Sequence, residues 1–251
     1  MASRFRAVTE LSAASRLTHY SLLIPPSIKI VGNNNSNRIF AIYILKMDKK
    51  THWEKVYSTK QLNEVSWYQP NPSVSLTFIQ ELGIPRQASV IDIGGGDSLL
   101  ADHLLAAGFT DITVLDISEA AIERAKKRLG ANASKIKWVV TDITEFRPER
   151  TYDFWHDRAT FHFLTTDNEV QTYLSISQKA INPGGKLLIG TFAENGPEKC
   201  SGLPVKQYSE ESMSATIRRW FEKIKCIHTD HITPFNTIQH FLFCSFKKSF
   251  A

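Results

Sequence analysis

Cysteines are few in this sequence, and long hydrophobic runs are missing from it. The three cysteines, Cys200, Cys226 and Cys244, include no CxxC pair and are odd in number, which fits a reduced intracellular protein better than a disulfide scaffold. The longest apolar run, Ile39 to Leu45, is far shorter than the roughly 20 residues that span a bilayer. We therefore expect a cytoplasmic protein with no membrane partner.

Acidic residues are scarce at the start of the chain. Residues 1–46 hold one acid, Glu10, against six basic side chains. The whole chain carries a net charge of +5 at pH 7, so the positive excess lies in this segment and the rest of the chain is balanced. A balanced domain does not predict a basic groove, and we expect no nucleic-acid partner.

Residues 1–46 show no sustained helical or strand period and contain Pro25-Pro26 and Asn33-Asn34-Asn35. Three interpretations stay open for this extension. It is a disordered tail, a mitochondrial-type transit peptide, since such peptides are basic and poor in acids, or an upstream translation artefact that ends before Met47. The second would make the protein mitochondrial. Residues 47–251 are treated as one domain, because their length suffices for a substantial α/β core.

The pattern from residue 52 onward alternates helices with strands. Short apolar runs are separated by helical segments of about 10–12 residues, which predicts a mostly parallel sheet with helices on both faces and right-handed crossovers. The last two strands have no clear helix between them, which predicts an antiparallel hairpin at one edge. The predicted helices are 52–57, 73–82, 98–107, 118–129, 169–180 and 209–220. The predicted strands are 88–93, 111–115, 136–140, 152–155, 185–191, 224–232 and 239–246.

Three glycines follow the first strand of this pattern, in the run Asp92-Ile93-Gly94-Gly95-Gly96-Asp97. Glycines at a strand-to-helix turn let a ligand approach the backbone closely, and open α/β sheets bind ligands at the carboxyl ends of their strands. No lysine follows, so the run is not a P-loop, and Leu99 stands where a dinucleotide fingerprint needs its third glycine. The loop favours an adenosyl ligand without a pyrophosphate over a plain tight turn.

Two acids end the next two strands. Asp116 lies 22 residues after Gly94, where a carboxylate can accept hydrogen bonds from both ribose hydroxyls. Asp142 can accept from an adenine amino group, with Ile117 and Ile143 as apolar faces for the ring. An acid at a strand end is common by itself, but the glycine loop and both acids in this order are a specific pattern.

These motifs resemble those of the class I S-adenosylmethionine-dependent methyltransferases. The first motif appears at 90–96, the fourth at 152–158, and the turn after it at Pro183-Gly184-Gly185. The resemblance covers roughly residues 50–250 and implies a Rossmann-like, seven-stranded sheet that ends in an antiparallel hairpin. It also implies S-adenosyl-L-methionine as cofactor, bound by Asp92, Gly94 and Gly96. Ser98 departs from the family where a third glycine is frequent, although serine is small and can cap the helix.

An aromatic segment before the sheet narrows the resemblance. Trp53 and Tyr57, followed by a turn at Trp67 and Tyr68, resemble the start of small bacterial-type methyltransferases and of related protein-lysine methyltransferases. These rings can form a lid over the sulfonium or the acceptor through cation–π attraction. The alternative is that they pack the N-terminal helix onto the sheet.

Candidate catalytic residues follow the fourth predicted strand. His156, Asp157 and Arg158 lie where the acceptor would meet the methyl group, with His162 close behind. A histidine can act as base, and Asp157 can accept a hydrogen bond from an amine acceptor. The alternative is a structural Asp157–Arg158 ion pair with His162 packed against the next helix. No histidine spacing matches a zinc signature, so we expect no metal.

A loop cysteine is a weaker feature. Cys200 lies in the loop after the predicted strand 185–191, on the same side as the site. If it is exposed, it is a candidate reactive thiol or a ligand for a soft metalloid, although a lone loop cysteine is usually neither.

We expect methyl transfer to a small-molecule nucleophile, a thiol, amine or carboxylate, by a monomer or homodimer. A protein lysine is the alternative acceptor. An aminopropyltransferase is an alternative enzyme, because that family often shows a Gly-Gly-Gly-Asp run like residues 94–97. That family also has an Asp-Ser/Thr-Asp-Pro pattern after the fourth strand, however, where this chain has His156-Asp157-Arg158-Ala159. A non-catalytic module that binds the adenosyl ligand is the remaining alternative, and the intact acids argue against it.

Overall fold

The computed structural model describes residues 49–249. The interpretations of residues 1–46 fall outside the described part of the chain and stay predictions. No helix within residues 49–249 is both long enough and apolar enough to cross a membrane.

A seven-stranded sheet forms the centre of the domain. Its first five strands pair in parallel and the last two add an antiparallel hairpin at one edge, in the order β3-β2-β1-β4-β5-β9-β8. The predicted fold class, including the hairpin, is confirmed. The strands are β1 Ser89–Ile93, β2 Asp111–Asp116, β3 Ile136–Val140, β4 Tyr152–Arg158, β5 Ile181–Phe192, β6 Lys199–Cys200, β7 Leu203–Pro204, β8 Phe221–Ile232 and β9 Ile238–Lys248. The short β6–β7 pair lies outside the main sheet.

Helices cover the sheet. Residues 49–59 are helical and are called α1 here. The others are α2 Ser73–Glu81, α3 Leu100–Ala106, α4 Glu119–Leu129, α5 Asp167–Ala180 and α6 Glu210–Ile217. Ser118 caps α4 as predicted, its hydroxyl accepting from the Ala121 N–H at 3.2 Å. The helix predicted at 98–107 begins two residues later, with the Ser98 hydroxyl accepting from the Leu100 N–H.

Two apolar clusters hold the layers together, one on each face of the sheet. Alternate side chains of β4 point to opposite faces, so Trp155 joins the cluster against α5, while Phe154 joins the cluster against α2 and α3. Both residues are fully buried. Central parallel strands covered on both faces are continuously apolar, which is why β1, Ser89–Ile93, reads as one buried run.

Two strands differ from their predicted bounds. β4 continues through Arg158 rather than ending at Trp155. β5 begins at Ile181, earlier than predicted, so Pro183-Gly184-Gly185 lies within the bounds of the strand and not before it. The pairing of β4 with β5 shifts register between Tyr152 and Phe154, and Gly184 takes a positive φ of 76°. The Pro-Gly-Gly run is accommodated as a local irregularity of the strand.

The cysteines also differ from expectation. Cys226 and Cys244 face each other on β8 and β9 and form a disulfide, so the expectation of three reduced cysteines is wrong for this pair. Sequence spacing gave no signal, because the pairing depends on the register of the hairpin. Cys200 is a free thiol and is buried, not exposed.

Candidate functional site

A cleft of two adjoining pockets lies at the carboxyl ends of β1, β2 and β4. We call the pocket lined by Asp116 and Asp142 pocket A, and its neighbour, lined by Asp92 and His156, pocket B. Pocket A includes Asp116, Ile117, Asp142 and Ile143. Pocket B includes Ser75, Asp92, Gly95, Asp97 and His156. The two pockets share Tyr57, Trp67, Gly94 and Arg158.

The glycine loop brings carboxylates against bare backbone. Gly94 and Gly96 both take positive φ, 64° and 27°. A Cβ at Gly95 would collide with the Asp92 carboxylate, and one at Gly96 would collide with the Asp116 carboxylate. Only glycine therefore permits this arrangement of loop and acids. The result is a cradle in which backbone and two carboxylates converge on the cleft.

Asp116 ends β2 and is buried, with 4% of its surface exposed. Its Oδ1 accepts from the Ser118 N–H at 2.8 Å. Burial raises the pKa of this carboxyl to about 7, and the nearby charges of Asp92 and Glu54 act in the same direction. A ligand that donates hydrogen bonds to Asp116 would offset the cost of its charge.

Asp142 follows β3 at the other side of pocket A. Its Oδ1 accepts from both the N–H and the hydroxyl of Thr144, each at 2.7 Å. These bonds fix the carboxylate in the loop beside Ile117 and Ile143, which also line the pocket. The structure thus brings together the four residues that we predicted to bind a nucleoside. Their binding role stays a prediction.

His156 lies between two polar groups in pocket B. Its Nδ1 is 2.6 Å from Asp92 Oδ1, and its Nε2 is 2.8 Å from the Ser75 hydroxyl. All three residues are buried. With a neutral ring, Nδ1–H donates to the carboxylate and Nε2 accepts from the hydroxyl. Both ring nitrogens are therefore occupied, whereas Asp92 Oδ2 is buried without a hydrogen-bond partner.

Asp157 turns away from the cleft. It is fully buried on the opposite face of β4, because successive residues of a strand point to opposite faces. Its Oδ1 accepts from the N–H groups of Thr160 and Phe161, and its Oδ2 accepts from the Tyr173 hydroxyl. Burial raises its pKa to about 6. The contacts make Asp157 an anchor of the loop after β4. Asp157 is not among the residues that line pocket A or pocket B, and the alternative ion pair with Arg158 is absent from the ion pairs of residues 49–249.

Arg158 shares the face of His156 and borders both pockets. Its guanidinium donates to the carbonyl oxygen of Trp67, at 3.2 Å from one nitrogen, and lies 5.9 Å above the centre of the Phe241 ring. Burial lowers its pKa to about 10, which leaves the group charged at neutral pH. The next residue, Ala159, has a φ of 68°, an uncommon conformation for a residue with a side chain.

The aromatic residues predicted as a lid cluster over the cleft. Trp53 contacts Tyr57, Trp67 and Phe163, with ring centres 5.1–6.1 Å apart. Trp53, Tyr57 and Trp67 all line pocket A. Sequence analysis missed Phe163, because this residue follows β4 and lies 110 residues after Trp53 in the chain. Tyr68 lines pocket B.

Two charged residues, Glu54 and Arg124, connect α1 with α4, and sequence analysis missed both. Glu54 accepts from the N–H groups of Glu119 and Ala120, at 2.6 and 3.0 Å, and so caps α4 from another helix. Arg124 donates to the carbonyl oxygen of Tyr57 at 2.9 Å and pairs with Asp97 at 2.7 Å. No local pattern reveals these contacts, since the bonds of Glu54 to α4 and of Arg124 to Tyr57 join segments about 65 residues apart and Arg124 and Asp97 are 27 residues apart.

Two further candidates have properties that oppose reactivity. His162 is fully buried, and burial together with the Arg158 charge lowers its pKa to about 3, which makes it a weak base. Burial raises the pKa of Cys200 to about 12, so its sulfur stays protonated at neutral pH. No cluster of metal-ligating side chains exists among residues 49–249.

Comparison with known proteins gives the family context. The family model described as "Methyltransferase domain" matches residues 91–187. The eEF1A lysine and N-terminal methyltransferase of Mus musculus is 27% identical over 140 residues, which cover 55% of this chain and 20% of that protein. The malonyl-[acyl-carrier protein] O-methyltransferase of Anoxybacillus flavithermus is 29% identical over 150 residues, 59% of this chain and 56% of that protein.

Among solved structures, the 1,6-didemethyltoxoflavin-N1-methyltransferase of Burkholderia thailandensis has a TM-score of 0.62 at 18% identity. The match covers 90% of this chain and 95% of that chain, and that structure contains S-adenosylhomocysteine. This likeness shows the fold. The chain matches only about a fifth of the length of the first curated relatives.

Proposed function

Because the chain belongs to the class I S-adenosylmethionine-dependent methyltransferase superfamily, we propose that it transfers a methyl group from S-adenosylmethionine to a small-molecule nucleophile. The observation that carries the proposal is the cradle of Asp92, Gly94–Gly96 and Asp116 at the carboxyl ends of β1 and β2. This arrangement lies within the segment that the methyltransferase family model matches.

The residues of pocket A suit an adenosine. Asp116 offers acceptor oxygens at the position expected for two ribose hydroxyls. Asp142 offers an acceptor for an adenine amino group, and Ile117 with Ile143 supply the apolar faces for its ring. A Cβ on Gly96 would fill the space of the Asp116 carboxylate. The glycine loop offers carboxylates and backbone groups but no cationic side chain that could bind a phosphate. This lining fits a nucleoside better than a nucleotide.

Pocket B suits the amino-acid tail of the same cofactor. Asp92 Oδ2 is buried and has no partner, which is costly unless a ligand supplies one. An ammonium group is the natural donor for that oxygen. His156 holds the other oxygen of Asp92, so the open one is fixed in orientation. We therefore assign His156 a positioning role in place of the base that sequence analysis suggested.

When bound, S-adenosylmethionine supplies a methyl group that its sulfonium charge has already activated. The protein must then hold the acceptor in line and exclude water. Asp157 holds the loop after β4 through the N–H groups of Thr160 and Phe161, and Thr160 donates to the Ile93 carbonyl oxygen. These bonds fix the wall of pocket A that faces the acceptor, while Trp53 and Trp67 cover it from the α1 side.

A small-molecule acceptor is favoured by the form of the cleft. Aromatic side chains and α1 cover pocket A, and such a covered, mostly apolar site binds a small ligand well. A protein lysine is the second candidate, because one group of relatives is named for lysine methylation, whereas another is named malonyl-[acyl-carrier protein] O-methyltransferase. His162, with its lowered pKa, is a poor general base, so an acceptor that is already nucleophilic at neutral pH fits best.

The test is transfer from a donor with a radiolabelled methyl group. The full chain is incubated with pools of small thiols, amines and carboxylates, and separately with a protein extract. Label in a small-molecule product supports the proposal, and label only in protein favours the lysine alternative. The Asp116→Ala variant is the control for label that does not depend on the site. No transfer by a protein that binds the donor would favour the non-catalytic module.

A further inference from the structure

Arg158 has an unusual position for a charged side chain. It ends β4 in the middle of the cleft, and it borders pocket A, pocket B and a small pocket beside β8 and β9. Burial is strong enough to lower its pKa to about 10. Arg158 is partly buried, and a guanidinium that is partly removed from water needs partners that replace its lost hydration.

The protein itself supplies few of those partners. The guanidinium donates to one carbonyl oxygen, that of Trp67, and packs above the Phe241 ring. Among residues 49–249, no carboxylate lies within ion-pair distance of the Arg158 guanidinium. Asp92 attracts the guanidinium electrostatically, but the Asp92 carboxylate is hydrogen-bonded to His156 Nδ1, at 2.6 Å.

Other arginines of the domain show the contrast. Arg124 pairs with Asp97, Arg128 pairs with Asp97 and Asp102, and Arg150 pairs with Asp111. These arginines are partly buried, as Arg158 is, but each of them has a carboxylate partner that Arg158 lacks. Among the partly buried arginines of residues 49–249, Arg158 is thus the one without a carboxylate at ion-pair distance, and it faces the cleft.

We propose that Arg158 is an anion-binding residue that receives a carboxylate of a ligand in the cleft. This inference rests on the proposed function and adds a ligand class to it. Guanidinium presents a planar fork of N–H donors that matches a carboxylate in a bidentate pair. The carboxylate has two sources: the amino-acid tail of the cofactor in pocket B, or an acidic group on the acceptor in pocket A. In the second case the enzyme methylates an anionic small molecule.

The first arm of the test compares two ligands that differ in the carboxylate. S-adenosylhomocysteine carries the amino-acid tail, and 5′-methylthioadenosine lacks it. Their dissociation constants are measured by calorimetry for the full chain and for Arg158→Met. If Arg158 binds the cofactor, the substitution weakens S-adenosylhomocysteine on the order of tenfold or more, as expected for a charge-assisted bond, and leaves 5′-methylthioadenosine unchanged.

The second arm addresses an acidic acceptor. Succinate is added to protein saturated with S-adenosylhomocysteine, and the melting temperature is compared with that in sodium chloride of equal ionic strength. If Arg158 serves the acceptor, succinate raises the melting temperature of the wild type and not that of Arg158→Met, while the affinity for S-adenosylhomocysteine stays the same in both.

Matched variants separate binding from folding. Arg150→Met removes a paired arginine at the opposite edge of the sheet and should change neither readout. Arg158→Lys keeps the charge but not the fork, and should lie between the wild type and Arg158→Met; it also replaces Arg158→Met if that variant does not fold. Unchanged ligand ratios together with equal succinate responses in folded variants would overturn the inference. If the wild type binds neither adenosyl ligand, the proposed function fails, and the succinate arm on the ligand-free protein still decides whether Arg158 binds anions.

Discussion

Asp92 and His156 are joined across the sheet by a 2.6 Å hydrogen bond between Oδ1 and Nδ1. The bond links the ends of β1 and β4, and it leaves the second carboxylate oxygen of Asp92 without a partner in pocket B. The Ser75 hydroxyl, 2.8 Å from Nε2, completes a buried chain of three side chains. This chain orients the acid that we expect to meet the ammonium of the cofactor.

The first prediction concerns the hydrogen bonds that join Ser75, His156 and Asp92. His156→Ala should raise the dissociation constant or KM for the cofactor and lower thermal stability, because it leaves Asp92 with two unpaired oxygens. Ser75→Ala removes one hydrogen bond and should cost about 1 kcal/mol of stability, with a smaller effect on binding. Both are measured by calorimetric titration and thermal unfolding. A fall in kcat on the order of 100-fold with unchanged cofactor affinity would instead support His156 as a general base.

Asp116 gives a prediction about pH. Its pKa in the folded protein is about 7 against a usual 3.8, so the folded state holds this proton more tightly than the unfolded state does. The stability that this provides is complete below about pH 4 and is lost as pH rises through 7. Asp116→Asn, which removes the charge, should therefore unfold at a higher temperature than the wild type at pH 8 without ligand, with the gain shrinking towards pH 5.

Ligand binding should reverse that order. The same Asp116→Asn variant should gain less stability from S-adenosylhomocysteine at pH 8 than the wild type does, because an amide is a weaker acceptor for the ribose hydroxyls. Asp157, whose pKa is also raised, titrates in both proteins, so the difference between them isolates Asp116. An equal ligand response in the two proteins would contradict the assignment of Asp116 to the ribose.

Glu54 yields a third prediction, on the attachment of α1. Glu54→Ala removes the cap that it provides for the first turn of α4, and substitutions of helix caps cost about 0.5–2 kcal/mol. Because Trp53 and Tyr57 lie on the same helix and line the cleft, cofactor affinity should fall as well. Lys55→Ala, at an exposed neighbouring position, is the control. Unchanged affinity in a destabilised Glu54→Ala would show that α1 does not need this bond to cover the site.

Gly95 gives a fourth prediction. A Cβ at this position would overlap the Asp92 carboxylate and press on Val114, so Gly95→Ala must displace the acid that faces pocket B. We expect weaker cofactor binding in a protein that still folds, measured by calorimetry beside circular dichroism. Gly83→Ala is a matched control at a position with open space around it, where the positive φ costs stability but lies away from the cleft. If Gly95→Ala binds like the wild type, the loop does not approach the ligand as the cradle implies.

The local signals in the sequence were sufficient for the frame of the site. The apolar run of β1, the glycines after it, and the acids that end β2 and follow β3 are each read within a few residues, and parallel strands bring their carboxyl ends to one edge. The sheet and its edge hairpin followed from the alternation of strand and helix. The bounds of β4 did not, because its last three residues are polar and resemble a loop.

The longer β4 also changes how the three candidate catalytic residues relate to one another. Once the strand runs to Arg158, the period of two puts His156 and Arg158 on one face and Asp157 on the other, so the three cannot act as one cluster. Two of the partners that decide their roles lie far away in the sequence, Ser75 for His156 and Trp67 for Arg158. Contacts of this kind depend on packing between elements and have no local signature.

The most direct test of the account is the binding of adenosyl ligands to the full chain. Calorimetry and thermal shift are measured with S-adenosylmethionine, S-adenosylhomocysteine, decarboxylated S-adenosylmethionine and NAD, for the wild type and for Asp116→Ala. We predict that the first two bind the wild type, adding roughly 2.7 kcal/mol of stability at about 100 times the dissociation constant, and that Asp116→Ala folds but loses this effect. Binding of the decarboxylated form alone would favour aminopropyl transfer, and a folded wild type that binds none of the adenosyl ligands would contradict the account.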